Sequence, residues 1–167
     1  MHIRNFTNIN VEELLLKSVE SFEHSDLHVE IRYCPKGSGR FASGTYYRYT
    51  KTFPQGKFIR LRINRNNTYP VKVGFKISKY QRYFDSEGNL IIIQKQRIED
   101  MNTPEHLLLA IFLHEFSHYL DHIEGRNGNY KQTKADKFAA AQLEQLGIIE
   151  KPSRRAKKQP EAKSAHP

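Results

Sequence analysis

The segment from Thr103 to Gly125 constrains the fold more than any other. Thr103-Pro104-Glu105 carries the marks of a helix start: a hydroxyl that can cap, a proline whose missing N–H costs nothing in the first turn, and an acid at the positive end of the dipole. Leu107, Leu108, Ile111, Phe112, Phe116, Tyr119, Leu120 and Ile123 then wrap much of the helix circumference. A helix that is apolar on so many sides belongs in the centre of a molecule, covered by other elements. Gly125 supplies the stop.

Around this centre the pattern is mixed. Asn10 and Glu13 have capping-box spacing, and Val11, Leu14, Leu15, Val19 and Phe22 recur with helical period, which predicts a first helix to about His24. Leu27 to Tyr33 alternates apolar and polar residues as a half-buried strand does, ending at Cys34-Pro35. Lys36 to Gly44, with three glycines and two serines, reads as a loop. Thr45 to Thr52, Lys57 to Asn64, Val71 to Ser78 and Asn89 to Ile98 are β-branched and aromatic and predict a small, largely antiparallel twisted sheet, although Phe58, Leu61 and Ile63 do not alternate cleanly. Past Gly128 and Asn129, Ala135, Ala139, Leu143 and Leu146 share a face of a helix from Gln132 to Leu146 that stops at Gly147. The expectation is an α+β fold in one domain over 1–150. A basic tail over 151–167, without apolar periodicity, is expected to be disordered.

The charge balance bears on partners. The 27 Lys and Arg against 18 Asp and Glu give a net charge of +9, which attracts nucleic acid or acidic protein. Arg60, Arg62, Arg65, Lys72, Lys76, Lys79 and Arg82 are the candidates for such a surface, or simply the solvated face of strands. The one cysteine, Cys34, excludes an internal disulfide framework and fits a reducing compartment. Leu14 to Leu16 is too short for a leader or a span. The expected location is the cytoplasm, with no membrane partner.

Within the central helix, residues 113–122 read Leu-His-Glu-Phe-Ser-His-Tyr-Leu-Asp-His. His114 and His118 lie one turn apart with both imidazoles on one side, the placement of two ligands of a zinc tetrahedron. A zinc held by three protein donors keeps a position for water and lowers its pKa toward about 7. Glu115 is then placed as general base. Left without such a role, two histidines and a glutamate on a buried helix would need other partners.

A third donor is expected from the next helix. Asp136 is the choice, because it borders the Ala139 and Leu143 face; Gln132, His122 and Glu124 are the alternatives, and pairing of Asp136 with Lys137 or a ligand histidine is the competing role. Asp121 is placed either to orient an imidazole or to pair on the helix surface. Tyr119 and Tyr130 are candidate oxyanion donors, and Glu144 is expected in solvent.

Leu107 to Leu146 resembles the gluzincin-like metallopeptidases, whose His-Glu-x-x-His helix is followed by a helix with an acidic ligand. His-Glu-Phe-Ser-His-Tyr-Leu-Asp, followed by Lys-Ala-Asp-Lys-Phe-Ala-Ala at 134–140, is similar to the site of small proteins related to the ImmA/IrrE, SprT-like and lethal-factor-like groups. The resemblance implies a zincin-like fold, a bound Zn2+, His114 and His118 as ligands and Glu115 as base. Gln132 stands where many such enzymes carry their ligand glutamate, whereas a lethal-factor-like alignment puts the acid on Asp136. A SprT-like third histidine is absent apart from His166.

Two functions follow as expectations. One is a zinc metallopeptidase cleaving peptide bonds, with an edge strand, Asn89 to Ile98, aligning its substrate. The other is an inactive zinc-fold module that binds nucleic acid or acidic protein through the basic residues.

Overall fold

The computed structural model describes residues 1–49, 51, 54, 56–78, 81–126 and 131–152. Its centre is α2 (Pro104–Ile123), where the Thr103 side chain accepts the His106 N–H at 3.2 Å and Pro104 occupies the first turn. Leu107, Leu108, Leu109, Phe112, Leu113, Phe116 and Tyr119 are all buried, as the wrapped apolar pattern requires. Gly125 ends the helix with φ 64°. No helix among the described residues is long and apolar enough to cross a membrane.

A four-stranded sheet packs against α2. Its strands are β1 (His2–Asn5), β2 (His28–Tyr33), β3 (Ala42–Tyr47) and β4 (Phe58–Ile63), in the order β1-β2-β4-β3. Only the β3–β4 pair is antiparallel; β1–β2 and β2–β4 are parallel, so the largely antiparallel sheet expected from the sequence is corrected for this half of the molecule. Parallel neighbours need long crossovers. The β1–β2 crossover contains α1 (Glu12–Ser18), and the β2–β4 connection contains β3.

Core-facing residues explain the irregular pattern of β4. Ile59, Leu61 and Ile63 pair in register with Val29, Ile31 and Tyr33. Phe58 is buried on the other face of the strand, its ring 5.7 Å from that of Tyr47 and 5.2 Å from the Arg60 guanidinium carbon. The strand is therefore apolar on one face and capped by an aromatic on the other, which obscures the alternation.

Four further expectations are corrected. The first helix stops at Ser18 instead of about His24, and Val11, not Asn10, is its N-cap; the Val11 N–H instead donates to the Glu12 carboxylate, which also accepts from Asn5. Lys36 to Gly44 is a loop only in its first part, because β3 begins at Ala42. Asn89 to Ile98 divides into β7 (Leu90–Ile93) and β8 (Gln96–Met101). Between them Gln94 turns its amide to the Ser78 carbonyl at 2.9 Å and to Thr133 Oγ1 at 3.0 Å.

These strands form two antiparallel ribbons. β8 pairs with β5 (Val71–Lys76), and β7 pairs with β6 (Gln81–Phe84), a strand the sequence pattern did not announce. The last helix, α3 (Gln132–Gln145), packs on α2 through small and apolar residues, with Ala135, Ala139, Ala140 and Leu143 buried. Glu144 is not in open solvent: it forms an ion pair with Arg97 of β8, tying α3 to the ribbon. The expected 151–167 tail lies outside the described residues except for Lys151 and Pro152, both exposed.

Candidate metal centre

His114 and His118 project from one side of α2, with ring centroids 5.2 Å apart and ring planes at 77°. Two imidazoles sharing a tetrahedral ion at about 2.0–2.1 Å from each nitrogen have centroids about 5 Å apart, so the spacing fits zinc. Among the described residues no group of three or more His, Cys, Asp or Glu side chains is arranged to hold a metal ion. The donors that do meet here are two imidazoles, one carboxylate and one carboxamide.

The carboxylate is Asp136, buried in the first half of α3. Its Oδ1 lies 2.6 Å from His114 Nδ1, and its Oδ2 accepts the backbone N–H of Lys76 at 2.9 Å. Asp136 therefore joins His114 of α2 to the end of β5. The carboxamide is Gln132, at the start of α3, whose Nε2 lies 3.4 Å from His118 Nε2.

The two rings are electrostatically unlike. Burial works to keep His114 neutral, but the Asp136 hydrogen bond and charge, aided by Glu115, carry its pKa above the ordinary value. Burial and then repulsion from His114 push His118 down to about 4, so at neutral pH it is an uncharged ring of the kind metals bind.

Glu115, next to His114 in the chain, packs against β3. Its Oε2 accepts the Tyr46 N–H at 2.8 Å, and burial raises its pKa. β3 comes this close because residue 44 is glycine: a Cβ there would stand 2.5 Å from Ile111 Cγ2 and 2.7 Å from Glu115 Cγ. Sequence reasoning placed Gly44 in a loop and gave it no role. The available signal was a glycine directly ahead of a β-rich segment, where a backbone can approach another element.

The other candidates are occupied elsewhere. His122 bonds the Tyr46 hydroxyl through Nδ1. Asp121 pairs with Arg126 at 3.0 Å and with Lys134, which is the surface-pairing role rather than imidazole orientation. Glu124 pairs with Arg126. The Tyr119 hydroxyl donates to Asp26 Oδ1 at 2.9 Å. Tyr130 and His166 lie outside the described residues.

No family model, no curated protein and no solved structure matches this chain. A neutral imidazole, a second imidazole held by a carboxylate, a carboxamide beside the first and a buried glutamate next in the chain are groups of the kinds that serve as metal donors and proton acceptors.

The basic surface is partly spoken for. Arg60 pairs with Glu30 at 2.8 Å and Lys72 with Asp100 at 2.9 Å, while Arg65 sits 4.3 Å over the Tyr33 ring. Lys79 lies outside the described residues.

Proposed function

We propose that this chain is a zinc-dependent metallopeptidase with a zincin-like site, in which His114 and His118 hold the ion together with a third donor from α3. The observation that carries the reading is the His114–His118 pair at a separation that fits one shared ion. When bound, zinc would polarise a peptide carbonyl and lower the pKa of a water toward about 7.

The chain's own residues supply the rest. Glu115 holds or accepts a proton; its raised pKa brings it closer to the pH at which such transfer is efficient. The Tyr46 N–H keeps the Glu115 carboxylate oriented from the β3 side. β3 is the end strand of its sheet and packs on α2, which favours β3 over the Asn89 to Ile98 segment as the strand that aligns an extended peptide. Asp136 fixes the tautomer and the angle of His114.

The test is metal analysis of purified protein followed by peptide cleavage. Stoichiometric zinc in the wild type, lost in His114→Ala, together with cleavage abolished by Glu115→Gln while zinc is retained, is the expected result. A protein without zinc that cannot be reconstituted refutes the metal site. Cleavage that survives Glu115→Gln refutes the role of the base.

A further inference from the structure

We infer that the β6–β7 ribbon is the interface of a homodimer, in which two copies of this chain pack through the Phe84 face of the ribbon with their ribbons running in opposite directions.

The ribbon is apolar where no neighbour covers it. Its register places Phe84–Leu90 and Arg82–Ile92 on one face and Tyr83–Ile91 and Gln81–Ile93 on the other. Phe84 is 70% exposed, Leu90 52% and Ile92 51%, and Tyr83 and Ile93 are exposed on the opposite face. None of these side chains joins the core, and neither strand packs extensively on any element but the other. A lone two-stranded hairpin is marginal in water, and an exposed apolar patch of this kind marks a site of association.

The ribbon is nevertheless held at both ends. At the tip the Asp85 carboxylate accepts the Glu87 and Asn89 N–H groups at 2.9 and 2.8 Å, and Gly88 turns the chain with φ 80°. At the root the Lys95 N–H donates to Ser78 Oγ at 3.0 Å, next to the Gln94 bond to Thr133 of α3. A surface fixed in this way loses little freedom when it is covered.

Charge selects a second copy as the occupant. Between Gln81 and Lys95 stand two bases, Arg82 and Lys95, and two acids, Asp85 and Glu87, so the ribbon is neutral in a chain of net charge +9. Two copies of a strongly basic protein repel each other least where such segments meet. Among the described residues none of these four side chains forms an ion pair within the chain. The acids lie in the turn between the strands, and the bases lie toward the root. With the ribbons antiparallel, the Glu87 end of each copy meets the Arg82 and Lys95 end of the other, and a two-fold axis makes both contacts at once. The same acidic tip disfavours entry into an anionic lipid surface. Ser153 to Pro167 carries no large aliphatic or aromatic side chain to lay on Phe84.

The area is that of a weak, specific contact. Taking ~200 Å² for a fully exposed large side chain, the exposed parts of Tyr83, Phe84, Leu90, Ile92 and Ile93 come to roughly 500 Å² per copy, most of it on the Phe84 face. Two copies together have about 1,000 Å², where specific interfaces begin.

Sedimentation of the full chain at low salt, once with chelator and once with zinc, measures the association. Wild type is expected to dimerise in about the micromolar range in both, with a thermal midpoint that rises with protein concentration. Ile92→Lys is expected to weaken the dimer on the order of 100-fold by placing an unpaired charge in the contact. Arg82→Glu and Glu87→Lys are each expected to weaken it by about tenfold, and the double reversal to recover most of that loss. Far-ultraviolet circular dichroism establishes that Ile92→Lys is folded, and Glu87→Lys tests the contact without touching an apolar side chain. A wild type that is still monomeric at about 200 μM, far above the expected constant, overturns the dimer. A monomer that floats with phosphatidylcholine vesicles does so too and assigns the ribbon to lipid. A dimer that Ile92→Lys leaves intact places the contact elsewhere and overturns the interface, and a double reversal weaker than both single ones overturns the antiparallel arrangement.

Discussion

Replacing Gly44 by alanine tests the close approach of β3 to α2. The added methyl would stand 2.5 Å from Ile111 Cγ2 and 2.7 Å from Glu115 Cγ, atoms near the branch points of side chains on a rigid helix. Carbon atoms in contact prefer about 3.5–4.0 Å, so β3 and α2 must separate by about 1 Å. The φ of Gly44 is not in the left-handed region, so the effect is steric and not a matter of backbone freedom. Overpacking of this kind costs about 1–3 kcal/mol. Taking ~2 kcal/mol, thermal unfolding shifts down by about 4–8 °C for a domain of this size.

The same separation stretches the 2.8 Å bond from the Tyr46 N–H to Glu115 and displaces the proposed base. A misplacement near 1 Å costs on the order of 100-fold in rate, so cleavage should fall further than stability alone accounts for. Urea and thermal unfolding read the first effect, and cleavage by the folded, zinc-loaded variant reads the second. Gly39→Ala is the control, since a Cβ there meets nothing within 4 Å. Unfolding of Gly44→Ala within ~0.5 kcal/mol of wild type, the range of surface substitutions, would refute the β3–α2 contact as described.

Two further outcomes follow from the same structure. Thr103→Ala removes the acceptor for the His106 N–H and should destabilise the protein by about 1 kcal/mol in urea unfolding, with Thr103→Ser close to wild type; equal stability of all three would show that the cap contributes nothing. In zinc-free protein, His118 has a folded pKa of about 4 against an ordinary 6.5, so between those values the unfolded chain binds the extra proton and stability declines as pH falls. Urea midpoints over that window should drop more steeply in wild type than in His118→Gln, and parallel slopes would contradict the depressed pKa.

What sequence could determine was whatever is written in local chemistry. Thr103-Pro104-Glu105 starts α2 by capping and proline geometry, its apolar residues demand burial on several sides, and the four-residue spacing of His114 and His118 sets them on one face whatever surrounds the helix. The α+β class and the span of α3 are legible for the same reason.

Tertiary structure decided what depends on partners distant in the chain. The direction of β1 and β2 relative to β4 is a matter of which crossover packs, and the four-residue β1 carries too little pattern to announce itself. Helical periodicity could bring Asp136 to the face near the histidines, but only the approach of β5 gives its second oxygen the Lys76 N–H as a partner. Gly44 shows the same limit: glycine marks a place where no side chain fits, and the fold alone says that Ile111 and Glu115 are what would occupy it. Periodicity acts through neighbours on one element, whereas these contacts are made between elements, where sequence separation carries no distance.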